Sequence, residues 1–206
     1  MKRVLIIGEV LVEIMADTTG PDFLSPLPLT GPFPSGAPAI FAAQAARLGQ
    51  PVALIGSVGD DDFGRMCRDR LAAEGVDIAG LGIDIDRPTG TAFVRYDDDG
   101  DRNFVFNIRH SAAGRLKVTD ATRDAIDKAD HLHVMGSSLS SEQVVAANLD
   151  AARAIRERGG TVSFDPNLRP EIAADPGLSD ALRQVLGLTD LFLPSGAELT
   201  LLTQAT

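Results

Sequence analysis

The chain has 206 residues, of which 44% are hydrophobic and 23% are charged, and its formal net charge is −10 at pH 7. This length and composition predict a soluble globular domain with one substantial core, and the acidic charge without a basic stripe excludes nucleic acid as the expected partner. Acidic residues interrupt the apolar runs and Cys67 is the single cysteine, so we expect no membrane span and no secretory signal, but a reducing, cytoplasmic compartment.

Residues 3–14 begin the predicted elements with a buried strand that is rich in β-branched and aliphatic side chains. Glu9 and Glu13 interrupt its apolar run. A carboxylate in such a strand is costly unless it is hydrogen-bonded, so each faces either solvent at a strand end or a polar site. Glu13 is the candidate site residue, because open α/β sheets bind ligands at the carboxyl ends of their strands.

Residues 31–49 form a Pro/Gly-rich turn that leads into an Ala-rich helix, which ends at a glycine. Gly36 and Ala37 leave the backbone at the helix N-terminus almost bare. A polar ligand could therefore approach amides that also carry the positive end of the helix dipole. Close packing of the helix on a sheet explains the same small residues, and both interpretations stay open here.

The following elements alternate between strands and helices, which is typical of a parallel sheet with right-handed crossovers. Polar clusters follow the later strands, and this shared edge is where the ligand crevice of a doubly wound sheet lies. The predicted strands are 52–58, 131–135, 161–164 and 191–193, and the predicted helices are 63–74, 120–129, 142–158 and 179–186.

A hairpin is predicted between residues 89 and 109, because two alternating runs flank an Asp-Asp-Asp-Gly turn at 97–100. Alternation places Phe104, Phe106 and Ile108 on one face of the second run, and the opposite face carries Asn103, Val105, Asn107 and Arg109. Such a hairpin has to cover something or pair with another protomer.

Histidines 131 and 133 share one face of a predicted strand. No third ligand of suitable spacing lies nearby in the sequence, so we predict hydrogen-bonded structural histidines and no metal site.

Five motifs in this order resemble the ribokinase-like sugar kinase family over essentially the whole chain. They are SGAPAIFAAQAARLG, GSVGDDDFG, the Thr-Gly hairpin that ends in RHSAAG, DPNLR, and Ser-x-x-Glu at 195–198. The resemblance is greatest to the branch of ketohexose kinases and 2-keto-3-deoxygluconate kinases. It implies an α/β, ribokinase-like, doubly wound and mostly parallel sheet with a small β-hairpin lid. Residues 1–206 would form one incomplete domain whose C-terminal part is missing, with lid segments at about 12–32 and 89–110.

The resemblance also implies an ATP-dependent transfer of a phosphoryl group to a small sugar with the help of Mg2+, and a homodimer formed through the lid hairpin. Phosphoryl transfer requires positioning and charge neutralisation more than covalent chemistry, which suits arginines and metal-organising carboxylates. The implied sugar-binding residues are Glu13, Gly36, Ala37, Asn107, Arg109, Asn167 and Arg169. On the nucleotide and phosphate side the implied residues are Arg169, Ser195 and Glu198, of which Glu198 would help to arrange the magnesium ion indirectly.

Three departures from the family pattern affect the expected hydrogen bonds to the sugar, the metal site and the substrate. Ile40 stands where many relatives have asparagine, and Ser195 replaces the asparagine of the family's Asn-x-x-Glu motif. Ala92 and Asn107 stand where 2-keto-3-deoxygluconate kinases have lid tyrosines. This last departure favours a neutral ketohexose such as tagatose or fructose.

The family's Gly-Ala-Gly-Asp turn, whose aspartate is the catalytic base, does not occur before Thr206. We therefore assign no catalytic residue within this sequence and expect the 206 residues alone to lack phosphotransferase activity. Two alternatives remain at this point, a non-catalytic sugar-binding or regulatory module and a nucleoside kinase of the same fold.

Overall fold

A computed structural model describes residues 2–168, 176–196 and 198–199. The strands in these ranges are β1 (Val4–Ile7), β2 (Leu11–Ala16), β3 (Leu29–Ser35), β4 (Val52–Gly59), β5 (Leu81–Asp84), β6 (Gly90–Tyr96), β7 (Arg102–Asn107), β8 (His131–Met135), β9 (Thr161–Asp165) and β10 (Leu191–Phe192). The helices are α1 (Ala37–Arg47), α2 (Asp62–Ala73), α3 (Asp120–Asp127), α4 (Glu142–Glu157) and α5 (Pro176–Leu186).

Six strands form the main sheet in the order β10-β9-β8-β1-β4-β5, and every neighbouring pair is parallel. The register pairs Val4 with Val52 on one side of β1 and with His131 on the other. This topology confirms the predicted doubly wound parallel sheet. The short strand β5 is an addition that the sequence pattern did not predict.

Alternate residues of β1 enter different cores, because successive side chains of a strand point to opposite faces of the sheet. Leu5 and Ile7 belong to the core beneath α3, α4 and α5, whereas Ile6 belongs to the core beneath α1 and α2. The main sheet is therefore covered by helices on both faces, which explains why its strands are almost continuously apolar.

A second sheet contains four strands in the order β3-β2-β6-β7. The pair β2 and β6 is parallel, and the two outer pairs are antiparallel. We call this sheet the lid sheet. It includes the predicted hairpin, now seen as β6 and β7, and its strands lie within or next to the two predicted lid segments.

The prediction of one long strand over residues 3–14 was wrong. The chain leaves the main sheet after Ile7 and enters the lid sheet at Leu11, so β1 and β2 belong to different sheets. Gly8 lies at this exit, where a Cβ atom would come within 2.3 Å of Ser138 Oγ and 2.5 Å of Pro38 Cγ. Glycine fits at this position because its backbone passes close to the side chains of two other segments.

The two strand histidines are hydrogen-bonded as predicted. His131 lies 2.8 Å from the hydroxyls of Thr161 and Ser163, and His133 Nδ1 lies 2.7 Å from Ser163 Oγ. The ring of His133 stacks on Phe41 at a centroid distance of 4.0 Å. Burial, and to a smaller extent the charge of His131, lowers the pKa of His133 to about 4, so it is a neutral core residue at pH 7.

Among the described helices, none combines the length and the apolar character that a membrane-spanning helix requires.

Candidate functional site

A pocket with a volume of about 110 Å³ lies between the carboxyl ends of the main-sheet strands and the lid sheet. We call it the strand-end pocket. It opens where β1 lies between β4 and β8, so that the chain crosses to opposite sides of β1, and this topological switch point is where open α/β sheets bind ligands. Its lining includes Glu9, Glu13, Gly36, Ala37, Ser137 and Asn167.

A larger cavity of about 300 Å³ lies behind α1, between that helix, α2 and β3, and is lined in part by Arg47, Cys67 and Arg70. Volume alone would favour it. It shares Ser35 and Ile40 with the strand-end pocket, however, and none of the predicted site residues lines it. Position in the fold therefore makes the strand-end pocket the candidate site.

The floor of the strand-end pocket is the N-terminus of α1. Gly36 is the N-cap residue, with φ +106°, and no described side chain caps the helix. The first-turn amides of a helix have no partner within the helix and carry the positive end of its dipole. The structure thus brings Gly36 and Ala37 to the pocket, beside the positive end of the helix dipole.

Glu13 lies on β2, and its neighbours in the lid sheet are Phe33 on β3 and Ala92 on β6. The pairing of β2 with β3 shifts register between Glu13 and Met15. Such irregularities change the direction of side chains relative to a regular ladder. Glu13 is partly exposed and lines the pocket, so a carboxylate is available to a ligand there.

Glu9 also lines the pocket, although the sequence analysis did not assign it to the site. Its side chain is buried, and its Oε1 accepts a hydrogen bond of 3.1 Å from the Ser137 hydroxyl. Burial raises the pKa of Glu9, and hydrogen bonds from its own backbone and from the Ser138 and Ser137 hydroxyls oppose this to a smaller extent. The sequence signal that could have identified Glu9 is its position directly after a buried strand, where a carboxylate needs hydrogen-bond partners within the protein.

Asn167 follows β9 and is the single non-glycine residue with a positive φ, 40°, in the part of the chain that the structure describes. Asparagine adopts this left-handed conformation more readily than most residues. Its Nδ2 donates to Ser137 Oγ at 3.2 Å, and its backbone N–H donates to Asp165 Oδ1 at 3.0 Å. These contacts hold the predicted site residue in the pocket wall.

Glu198 joins the loop after β9 to the loop after β10. Its Oε1 accepts from the Leu168 N–H at 2.7 Å, and its Oε2 accepts from the Ser195 N–H at 2.7 Å and from the Ser195 hydroxyl at 3.1 Å. The Ser195 contacts resemble half of a capping box, in which a glutamate bonds back to the N-cap residue. Since both carboxylate oxygens already accept hydrogen bonds, Glu198 fits an indirect, loop-organising role better than direct binding of a metal ion.

No cluster of three or more His, Cys, Asp or Glu side chains able to hold a metal ion occurs among the described residues. The predicted site residue Arg169 lies outside those residues.

The lid contributes different residues from those predicted. The apolar face of β7 meets the pocket, through Phe104 and Phe106 together with Arg102 and Ile108. Asn107 lies on the opposite face of this strand, and neither Asn107 nor Arg109 is part of the lining. Alternation predicted the two faces of the hairpin correctly, and the residues that the resemblance implies lie on the face away from this pocket.

Comparison with known proteins agrees with this geometry. The family model described as "pfkB family carbohydrate kinase" matches residues 1–206. The fructokinase of Klebsiella pneumoniae is 36% identical over 202 residues, and that of Escherichia coli is 37% identical over 205 residues. These alignments cover 98% and 99% of the chain, but only 62% and 64% of the two relatives.

Solved structures give the same result. An Escherichia coli protein provisionally named ribokinase II, in complex with ATP and Mg2+, superposes with a TM-score of 0.88 at 45% identity, covering 98% of this chain and 65% of its own. Fructokinase of Xylella fastidiosa superposes with a TM-score of 0.84 at 28% identity, covering 98% and 62%. The fold is therefore ribokinase-like, and the chain spans less than two thirds of the curated relatives named above. From its sequence and its fold, the chain belongs to the pfkB family of carbohydrate kinases.

Proposed function

We propose that this chain supplies the sugar-binding part of an ATP-dependent sugar kinase, which transfers the γ-phosphoryl group of ATP to a hydroxyl of a small sugar. The strand-end pocket is the observation that carries the proposal. It combines the N-terminus of α1 at Gly36 and Ala37 with the carboxylate of Glu13, and it lies at the switch point of a doubly wound sheet.

The lining suits a polyhydroxylated ligand. Sugar hydroxyls both donate and accept hydrogen bonds, so they can donate to Glu13 and accept from the amides of the α1 N-terminus. Phe104 and Phe106 stack on each other at 4.8 Å and offer an apolar surface to the carbon-bound face of a sugar ring. Small-molecule sites in proteins are usually apolar clefts that contain a few polar groups, and the strand-end pocket has this character.

The relatives favour a ketohexose. Both bacterial relatives compared above are fructokinases. Positions 92 and 107 carry alanine and asparagine, so the lid has no tyrosine at either of them. Asn107 also lies outside the lining of the pocket. We therefore place fructose or tagatose ahead of 2-keto-3-deoxygluconate as the substrate.

ATP and Mg2+ would be used at the loops that follow β9 and β10. In phosphoryl transfer the metal ion neutralises charge on the phosphates, and the protein positions the groups. Asn167 and Ser195 would face the phosphates from these loops, and Glu198 would hold the two loops together through the contacts of Leu168 and Ser195. Arg169 is proposed for the phosphates on the resemblance alone.

Isothermal titration of the 206-residue chain tests the sugar assignment. We expect D-fructose or D-tagatose to bind, adenosine to give no heat of binding, and Glu13→Ala to weaken sugar binding by roughly tenfold, as the loss of a hydrogen bond to a charged group would. The exposed Glu142, at the first turn of α4, provides the control Glu142→Ala. A folded chain that binds adenosine and no sugar would overturn the proposal in favour of a nucleoside kinase.

We also infer a homodimer formed through the lid sheet. Val105 on β7 is 56% exposed on the face that points away from the strand-end pocket. We expect Val105→Asp to shift the mass measured by light scattering from dimer to monomer. Val118→Asp is the matched control, because Val118 is 67% exposed outside the lid sheet. A wild-type chain that is monomeric at high concentration would contradict the inference.

A further inference from the structure

Four neighbouring strands of the main sheet, β1, β8, β9 and β10, are joined at their carboxyl ends by side-chain hydrogen bonds. Ser137, after β8, donates to Glu9, after β1, at 3.1 Å. Asn167, after β9, donates to Ser137 at 3.2 Å. The next residue, Leu168, donates its backbone N–H to Glu198, after β10, at 2.7 Å. We call Glu9, Ser137, Asn167 and Glu198 the strand-end network.

The order of these contacts follows the order of the strands in space and not in sequence. Glu9 and Ser137 are 128 positions apart, and Ser137 and Asn167 are 30 positions apart. Each contact therefore closes one junction between adjacent strands. At one end the network borders the α1 N-terminus in the strand-end pocket, and at the other it reaches the loops proposed for the nucleotide.

We propose that Ser137 is a positioning residue that couples the strand-end pocket to the loops after β9 and β10. The inference rests on the proposed sugar-binding function of that pocket. A hydroxyl can donate one hydrogen bond and accept others at the same time, and Ser137 does both. Alanine or glycine at this position could make neither the hydrogen bond to Glu9 nor that from Asn167.

The backbone conformation of Asn167 connects its side-chain contact with Ser137 to the contact of Leu168 with Glu198. A non-glycine residue with φ 40° is held in a sparsely populated conformation by its surroundings, here by Asp165 and Ser137. Removal of the Ser137 hydroxyl leaves the Asn167 amide group without this acceptor inside the protein. Relaxation of Asn167 would then move the adjacent Leu168 N–H relative to Glu198.

Burial also explains why the link is costly to break. Ser137 is 6% exposed and Glu9 is 4% exposed, so water cannot readily replace a lost partner.

Amide hydrogen exchange by NMR tests the coupling without any ligand. In Ser137→Ala we expect the Leu168 amide to exchange roughly tenfold faster, because its bond to Glu198 opens more often. The same result is expected for Asn167→Gly, which keeps the left-handed backbone accessible and removes the side chain that donates to Ser137. Ser57→Ala serves as the control, since Ser57 is a buried serine on β4, outside the network. An unchanged Leu168 exchange rate in Ser137→Ala and Asn167→Gly would overturn the proposal.

Fructose titration of the same variants forms a double-mutant cycle. We expect each single substitution to weaken binding by roughly tenfold and the double variant to be little weaker than either, because both remove the same link. Effects that multiply would show that Ser137 and Asn167 act independently and would overturn the coupling. If the wild-type chain binds no sugar, the proposed function fails, and the exchange rates still decide whether the coupling exists.

Discussion

Replacement of Gly36 by alanine tests whether the floor of the strand-end pocket depends on the absence of a side chain. Gly36 has φ +106°, a backbone conformation that alanine rarely adopts. A Cβ atom built there would lie 2.5 Å from the Glu9 carbonyl oxygen and 3.4 Å from Val10 Cα. Both are backbone atoms of the segment that connects β1 to β2, so neither can move as a flexible side chain would.

Two costs contribute to the expected loss of stability. Strain at a positive φ costs about 1–3 kcal/mol, and forcing an extra carbon into a packed site costs about 1–3 kcal/mol more. We therefore expect Gly36→Ala to lower the free energy of unfolding by about 2–6 kcal/mol, a large share of the total of about 5–15 kcal/mol that domains usually have.

Gly49→Ala provides the matched control for the strain alone. Gly49 also has a positive φ, +80°, but an added Cβ would meet nothing within 4 Å. Urea unfolding followed by circular dichroism compares the two variants, with a slope of about 1–3 kcal/mol per molar urea. The midpoint should fall by roughly 1 M or more in Gly36→Ala and by about half as much in Gly49→Ala. Equal midpoints in the two variants would refute the steric argument.

Two further predictions concern the pH dependence of stability. The pKa of His133 is lowered to about 4 from an ordinary value of 6.5, so the unfolded chain binds this proton first, and stability should fall as the pH drops from 6.5 to 4. His133→Gln should remove roughly 3 kcal/mol of that loss in urea unfolding at pH 7 and pH 4, and an unaltered pH dependence would contradict this. Hydrogen bonding to Arg47 lowers the pKa of Glu74 to about 2 from 4.5, so its contribution is present above pH 4.5 and is lost as the pH falls towards 2. The difference in melting temperature between the wild type and Glu74→Gln should shrink over this range, and a constant difference would show that the ion pair does not stabilise the fold.

Elements with local signals were predictable from the sequence. A proline, several alanines and a terminal glycine predict the helix over 37–47. The Asp-Asp-Asp-Gly turn at 97–100 predicts the hairpin. Both lie where they were predicted because turn and helix preferences act over a few residues. The same is true of β8, whose predicted bounds match those of the structure.

Features that depend on distant contacts were not predictable in this way. Hydrophobicity over residues 3–14 does not reveal that the chain changes sheets near Gly8, where residues as distant as Pro38 and Ser138 pack against the backbone. Period-2 alternation separates Phe106 from Asn107, but it does not reveal which face meets a ligand. The contact between Glu9 and Ser137 spans 128 positions and carries no local pattern at all.

Two of the connections between the lid sheet and the rest of the protein are very short. Three residues, of which Glu9 and Val10 are buried, separate β1 from β2, and Gly36 alone separates β3 from α1. Short connections thus hold β2 and the α1 N-terminus to the main sheet, whereas the tip of the β6–β7 turn is exposed, so any opening of the lid sheet would occur at that tip. The lid would then work as a flap attached along β2. On binding, the loss of conformational entropy would fall mainly on that flap, and the preorganised wall would lose little.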